Sequence, residues 1–78
     1  MRQKKPTLVI TFATTTQAMA MEKFCLAQGL PGRLSPVPRE ITAGCGLSWK
    51  ADPADRDALE AALTQHEMKW QEMHIIEI

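Results

Sequence analysis

Residues 7–17 read TLVITFATTTQ and predict the first strand and the start of the first helix. The first seven of them are mostly apolar and β-branched, which is typical of a short buried strand. Side chains alternate along a strand, so Val9 and Thr11 are expected on the face opposite to the core. The threonines that follow are good helix N-caps, and Thr14 with Gln17 has the spacing of a capping box. A helix is therefore expected immediately after the strand.

Turn residues and periodicity predict the remaining elements. Gly29 favours the end of the first helix, because glycine readily adopts the left-handed conformation that follows a helix. Pro36 and Pro38 restrict the second strand to a sheet edge, because proline cannot donate to a ladder. After the strand of residues 7–13, the predicted elements are a helix ending near Gln28, strands Arg33–Val37 and Leu47–Ala51, a helix capped by Asp52 with Pro53 at its first position, and strand Met73–Ile78.

The order β-α-β-β-α-β predicts a ferredoxin-like α+β sandwich, with two helices on one face of an antiparallel four-stranded sheet. The first and third strands are expected to be central. At 78 residues the chain is predicted to form a single domain with a small core, and the basic tail Met1–Lys5 is predicted to be frayed. The predicted core residues are Leu8, Ile10, Phe12, Met21, Leu47, Trp49, Leu59, Ala62 and Leu63.

The charges balance but are unevenly distributed. Residues 1–50 hold seven basic and two acidic side chains, and residues 51–78 hold two basic and seven acidic ones. A net charge of zero argues against a nucleic-acid partner, because phosphate binding needs a positive excess. No apolar stretch is long enough to span a membrane, and the apolar run after Lys5 is too short for an export signal. The chain is expected in the cytoplasm with reduced thiols.

Cys45 is the strongest candidate for chemistry. Gly44 and Gly46 flank it, and glycines on both sides leave a thiol uncovered and permit unusual backbone angles. Arg39 in the same loop is a candidate for lowering the thiol pKa. The simpler interpretation is a tight Gly-Cys-Gly turn with an incidental cysteine. Cys25 lies on the apolar stripe of the first helix and is expected to pack in the core.

No metal or organic cofactor is predicted. The two cysteines with His66 and His74 do not show the ligand spacing of a metal site. His66 is expected at a helix C-terminus and His74 in a strand. Three carboxylates on the second helix form a solvated face near its N-terminus: Asp55, Asp57 and Glu60. A Cys25–Cys45 disulfide would require the loop to fold back over the first helix.

Residues 36–46 read PVPREITAGCG, and this segment resembles the small bacterial proteins described as selenium/sulfur carrier protein-like. Their recurrent core is similar to P-x-P-R-E-(I/L)-S-(S/A)-(S/G)-C-G, and Thr42 is a departure that keeps the serine hydroxyl. The opening strand and its threonine turn also resemble the family, and the resemblance covers residues 7–77. It implies that Cys45 carries sulfur or selenium as a persulfide or selenosulfide.

The resemblance also implies partners, namely proteins that donate and accept the sulfur or selenium. It describes a carrier protein rather than a stand-alone enzyme. Two other functions stay open. One is a non-catalytic interaction module, with an exposed apolar patch of Val9 and Ile75 or Ile76 on the open sheet face that could also form a homodimer. The other is a redox-sensing thiol.

Overall fold

A computed structural model describes residues 4–39, 41 and 45–78. The predicted element order is confirmed. The elements are β1 (Pro6–Thr11), α1 (Thr15–Gln28), β2 (Arg33–Pro36), β3 (Leu47–Ala51), a short 3₁₀ helix (Pro53–Asp55), α2 (Arg56–Gln65) and β4 (Glu72–Glu77).

The four strands form one sheet in the order β2-β3-β1-β4, and every neighbouring pair is antiparallel. With the two helices this is the α+β two-layer arrangement expected of a ferredoxin-like fold. β1 and β3 are central and β2 lies at an edge, as predicted. β2 ends at Pro36, one residue earlier than expected.

Caps at the helix ends explain where α1 starts and stops. The Thr14 hydroxyl accepts a hydrogen bond from the Gln17 amide at 3.2 Å. The Gln17 side chain accepts one from the Ala13 amide at 3.1 Å, so the reciprocal bond reaches one residue beyond the N-cap. Gly29 ends the helix with φ 67°, the left-handed conformation that glycine tolerates.

The second helix begins more gradually than predicted. Asp52 does act as a cap, because its carboxylate accepts a hydrogen bond from the Ala54 amide at 2.9 Å. The turn that follows, with Pro53 at its start, is a 3₁₀ turn, and α2 proper starts only at Arg56. Short 3₁₀ turns are frequent at helix N-termini.

The core lies between the sheet and the two helices. Seven of the nine predicted core residues are buried in it, together with Ala18 and Cys25. Leu47 is only partly buried and packs against the edge of the core, and Ala62 is half-buried on α2. Both differ from the prediction. The buried core residues are Leu8, Ile10, Phe12, Ala18, Met21, Cys25, Trp49, Leu59 and Leu63.

The open face of the sheet carries no apolar patch of the kind predicted. Val9 is fully buried, because it lies between the longer side chains of Lys50 and His74 in the strand register. Ile75 is exposed, but it pairs with Leu8 and so belongs to the helix-covered side. Ile76 is half-buried on the open face. The predicted patch is therefore wrong for Val9 and Ile75, and a homodimer through this face stays a prediction.

Lys5, the last residue of the tail predicted to be frayed, is held by backbone hydrogen bonds. Lys5 exchanges two backbone hydrogen bonds with Ile78, at 3.2 and 3.1 Å, which extends the pairing of β1 with β4. Residues 1–3 of the predicted tail lie outside the described residues.

Candidate functional site

The candidate site lies in the loop between β2 and β3. The loop is closed at its base by a hydrogen bond from the Val37 amide to the Gly46 carbonyl at 3.0 Å. On the β2 side, the Ile41 amide donates to the Pro38 carbonyl at 3.1 Å, which forms a turn around Arg39. Cys45 follows at the other end, directly before the base of the hairpin. Arg39 and Cys45 therefore lie in the same closed loop.

Cys45 is half-buried, neither fully exposed nor enclosed. Its thiol contacts the Leu47 carbonyl at a sulfur–oxygen distance of 3.7 Å, a weak S–H···O interaction. Its side chain also packs against the edge of the core, so Cys45 is not held by the loop backbone alone. The sequence predicted the loop position, and the structure adds this contact with the core. Cys45 is thus held by packing while part of the residue stays accessible to solvent.

Of the two glycines beside Cys45, only Gly46 lies among the described residues. Gly46 has φ 75°, in the left-handed region, and a Cβ there would meet no atom within 4 Å. Backbone conformation rather than space is therefore the reason for glycine at this position. Gly44 lies outside the described residues, so its predicted role in presenting the thiol stays a prediction.

Arg39 is exposed in its turn. Among residues 4–39, 41 and 45–78 it forms no ion pair and no hydrogen bond with Cys45. Any effect of the guanidinium on the thiol would therefore act through space and be sensitive to salt. The predicted activation of Cys45 by Arg39 remains a prediction.

The N-terminus of α1 lies at the same end of the sheet as this loop. Thr11, the last residue of β1, pairs with Ser48 near the start of β3, and α1 begins four residues later. The first turn of α1 contains no acidic side chain. Helix N-termini favour negative charge within about one turn. The predicted caps marked where α1 begins, but only the strand register shows that this helix end and the loop share one end of the sheet.

Cys25 is confirmed as a core residue. Only 1% of its surface is exposed, and burial raises the pKa of its thiol from 9.0 to about 11. Both cysteines are free thiols. The two sulfurs of this chain therefore have different environments, and Cys45 alone lies near solvent.

The other candidate groups take structural positions. His66 caps the C-terminus of α2, and its ring lies 5.0 Å from that of Phe24. His74 lies in β4 with its Nε2 atom 3.3 Å from Glu72. Within the described ranges no three His, Cys, Asp or Glu side chains are grouped to hold a metal ion. No helix in that part of the chain has both the length and the apolarity to cross a membrane.

A comparison with protein-family models matches residues 7–75 to the family described as "Putative Se/S carrier protein-like". Comparison with the curated proteins and with the solved structures gives no significant match. The matched range includes β3, both helices, all of β1 except Pro6, and the whole loop of Arg39 and Cys45. Since the family model covers nearly all of the 78 residues, the chain belongs to the Se/S carrier protein-like family.

Proposed function

We propose that this protein carries sulfur or selenium on the thiol of Cys45 and passes it between a donor and an acceptor protein. The observation that carries the proposal is the contrast between its two thiols. Cys45 is half-buried in the loop between β2 and β3. Cys25 is fully buried in the core, and burial raises the pKa of its thiol to about 11. The family match supports the proposal, since a carrier must interact with other proteins.

The transfer needs only a thiolate and a donor persulfide. The Cys45 thiolate attacks the terminal sulfur of R–S–SH, a new S–S bond forms to Cys45, and the S–S bond of the donor breaks. The donor leaves as a thiolate with the bonding electron pair, and Cys45 becomes Cys–S–SH. One anion is consumed and one is released, so no external oxidant or reductant is required. Selenium is transferred from R–S–SeH in the same way. The acceptor thiolate then attacks the terminal sulfur or selenium on Cys45 and releases the Cys45 thiolate.

Three features of the loop favour this chemistry. Contact with the core edge holds Cys45 in place, which lowers the entropy lost when a partner docks. Arg39 supplies a cation in the same loop, and Gly44 and Gly46 would leave backbone amides free to face an anion. The chemistry uses no metal or organic cofactor.

The proposed setting is the cytoplasm, where thiols are kept reduced between transfers. The proposed partners are one protein that supplies the chalcogen and one that removes it. Sulfur and selenium place the same demands on Cys45, so the choice between them is set by the donor.

The test loads the reduced protein with glutathione persulfide and measures intact and peptide masses. We expect the wild-type chain to gain the mass of one sulfur atom on the peptide that contains Cys45. Cys45→Ser should gain none, and Cys25→Ser should gain as much as wild type. The loaded protein should then lose the added sulfur to an excess of a small thiol.

The two alternative functions predict different masses in this experiment. A redox-sensing thiol would add oxygen on exposure to peroxide but would not take up sulfur from the persulfide. An interaction module would leave Cys45 unmodified in both experiments. Sulfur on Cys25 in place of Cys45 would contradict the assignment of the site.

A further inference from the structure

A pair of like charges lies side by side on the open face of the sheet. Arg33 of β2 and Lys50 of β3 are direct partners in the strand register. Lys50 pairs on its other side with Val9, whose neighbours Leu8 and Ile10 point into the core. All three side chains in this row therefore face away from the helices. Arg33 is exposed and Lys50 is half-buried.

Nothing on the strands compensates this pair. Like charges directly opposite each other on neighbouring strands destabilise a sheet. β2 is an edge strand, so Arg33 has no neighbour on its outer side, and the neighbour beyond Lys50 is apolar. Across residues 4–39, 41 and 45–78 neither cation forms an ion pair, and the carboxylate of Ile78 does not form one with them either.

A cavity of about 400 Å³ opens between these cations. Its lining combines Arg33 and Lys50 with Thr7, Ala51 and Ile78. Of the two apolar residues, only Ile78 lies on the open face, because Ala51 pairs with Leu8 and faces the helices. No acidic side chain lines it. By contrast, a cavity on α2 is lined by Asp57 and Glu60. This volume is typical of sites for small molecules and exceeds what a bare ion requires.

We propose that this cavity binds a small organic anion with a doubly charged oxyanion group, such as a phosphate monoester. The oxyanion lies between the Arg33 guanidinium and the Lys50 ammonium, which are the groups that bind phosphate oxygens best. The carbon part of the ligand packs on the Ile78 side chain. Binding removes the repulsion between the two cations. The cavity lies at the end of the sheet opposite to Cys45, so this site is independent of the proposed carrier function.

The test titrates the ¹⁵N-labelled full chain with inorganic phosphate and then with phenyl phosphate, and follows amide shifts by NMR. Sodium chloride at equal ionic strength is the control. We expect saturable shifts concentrated at Thr7, Arg33, Lys50 and Ala51 with both phosphates and not with chloride. Phenyl phosphate should bind several-fold tighter than phosphate, because only it fills the apolar part of the cavity.

Variants separate the site from general charge effects. Lys50→Gln should weaken phosphate binding about tenfold, since it removes a charged hydrogen-bond donor. It should unfold at the same temperature as wild type or higher, because it also removes the repulsion. Lys23→Gln, a matched charge loss on the exposed face of α1, should bind as wild type does.

Three outcomes would overturn the site. The first is shifts that do not saturate, or that chloride reproduces. The second is equal binding by Lys50→Gln and Lys23→Gln. The third is no binding of either phosphate to the wild-type chain. Cys45→Ser should bind phosphate as wild type does, so failure of the carrier proposal leaves this result unchanged.

Discussion

Cys25 and Cys45 carry the same thiol group, but Cys25 is fully buried whereas Cys45 is only half-buried. Cys25 is enclosed between α1 and the sheet, where a thiolate would lose its hydration without gaining a partner. Cys45 contacts the core with one side only. At pH 7 a thiol of pKa about 11 is ionised in roughly one molecule in ten thousand, so Cys25 is inert while the fold is intact.

This contrast predicts selective alkylation. With limiting iodoacetamide at neutral pH, wild type should be labelled at Cys45, and Cys45→Ser should lose that fast labelling. Cys25→Ser should keep it, and Cys25 should react only after unfolding in urea. Peptide mass spectrometry after quenching measures both sites. Fast labelling of Cys25 in the folded chain would contradict its burial.

Arg39→Ala tests whether the loop cation assists the thiol. Loss of a nearby positive charge disfavours the thiolate, so the labelling rate of Cys45 should fall. High salt should reduce the difference from wild type, because Arg39 is exposed and its field is screened. Lys23→Ala, an exposed cation on α1, serves as the control. Equal rates in wild type and Arg39→Ala would remove Arg39 from the site.

Gly32 is required by its contact with Trp49. A Cβ at Gly32, where φ is 110°, would overlap Trp49 Nε1 and would lie 2.7 Å from the Lys50 carbonyl. The same indole nitrogen donates to the Pro31 carbonyl at 3.0 Å, so the ring cannot move away without losing that bond. Gly32→Ala should lower the free energy of unfolding by about 1–3 kcal/mol or more.

Gly29→Ala is the matched control for Gly32→Ala. Gly29 also has a positive φ, 67°, but a Cβ there would meet nothing within 4 Å. Only the backbone cost of about 1–2 kcal/mol should remain. Urea unfolding of both variants measures the difference. Equal losses would show that the Trp49 contact costs nothing.

At the scale of elements, α2 is held to the sheet by two fully buried side chains, Leu59 and Leu63. The periodicity of apolar residues predicted this helix, because spacing of three and four residues defines one face whatever the helix packs against. It overstated Ala62, which has the right spacing but lies at the margin of the contact. How many residues of the apolar helix face become buried depends on how much of the sheet lies beneath that face.

Leu59→Ala should therefore lower the free energy of unfolding by about 2–5 kcal/mol, through lost burial and the cavity that remains. Leu26→Ala is the matched control. It removes the same atoms from α1, but Leu26 is 77% exposed, so the change should stay within about 0.5 kcal/mol. Thermal and urea unfolding measure both. Similar losses in the two variants would place Leu59 outside the core.

Strand ends were predicted less well than strand centres. β1 was expected to continue to Ala13, but pairing stops at Thr11, whose carbonyl accepts from the Gln71 amide at 2.7 Å. The Thr11 hydroxyl also accepts from the Glu72 amide at 3.1 Å. These partners lie about sixty residues away in sequence. Local propensity cannot indicate where such a long-range partner is placed.

At the scale of the whole molecule, burial of Cys25 couples ionisation to unfolding. The unfolded chain releases the thiol proton near pH 9.0, and the folded chain only near pH 11. Between these values the unfolded state binds fewer protons, so the free energy of unfolding falls as pH rises, by about 3 kcal/mol at most. Below pH 9 this contribution is fully present.

Comparison with Cys25→Ala isolates this effect from lysine titration. Urea unfolding across the range from below pH 9 to about 11 should show a steeper loss of stability in wild type than in Cys25→Ala. The starting stability of the variant is lower because of the lost packing, so the slope is the measured quantity. Parallel slopes would contradict the raised pKa.

The amino-acid sequence was sufficient for the element order, the edge position of β2 and the burial of Cys25. Proline geometry, capping and periodicity are local, and each acts through residues close together in the chain. It also identified the Cys45 loop, through the glycines, Arg39 and the family pattern of residues 36–46.

Only the tertiary structure decided which surfaces the charges share. Arg33 and Lys50 are 17 positions apart and become neighbours through strand register, and Val9 is buried because of the residues on the strands beside it. Register depends on long-range pairing, and for that reason the cationic open face could not be predicted from spacing alone.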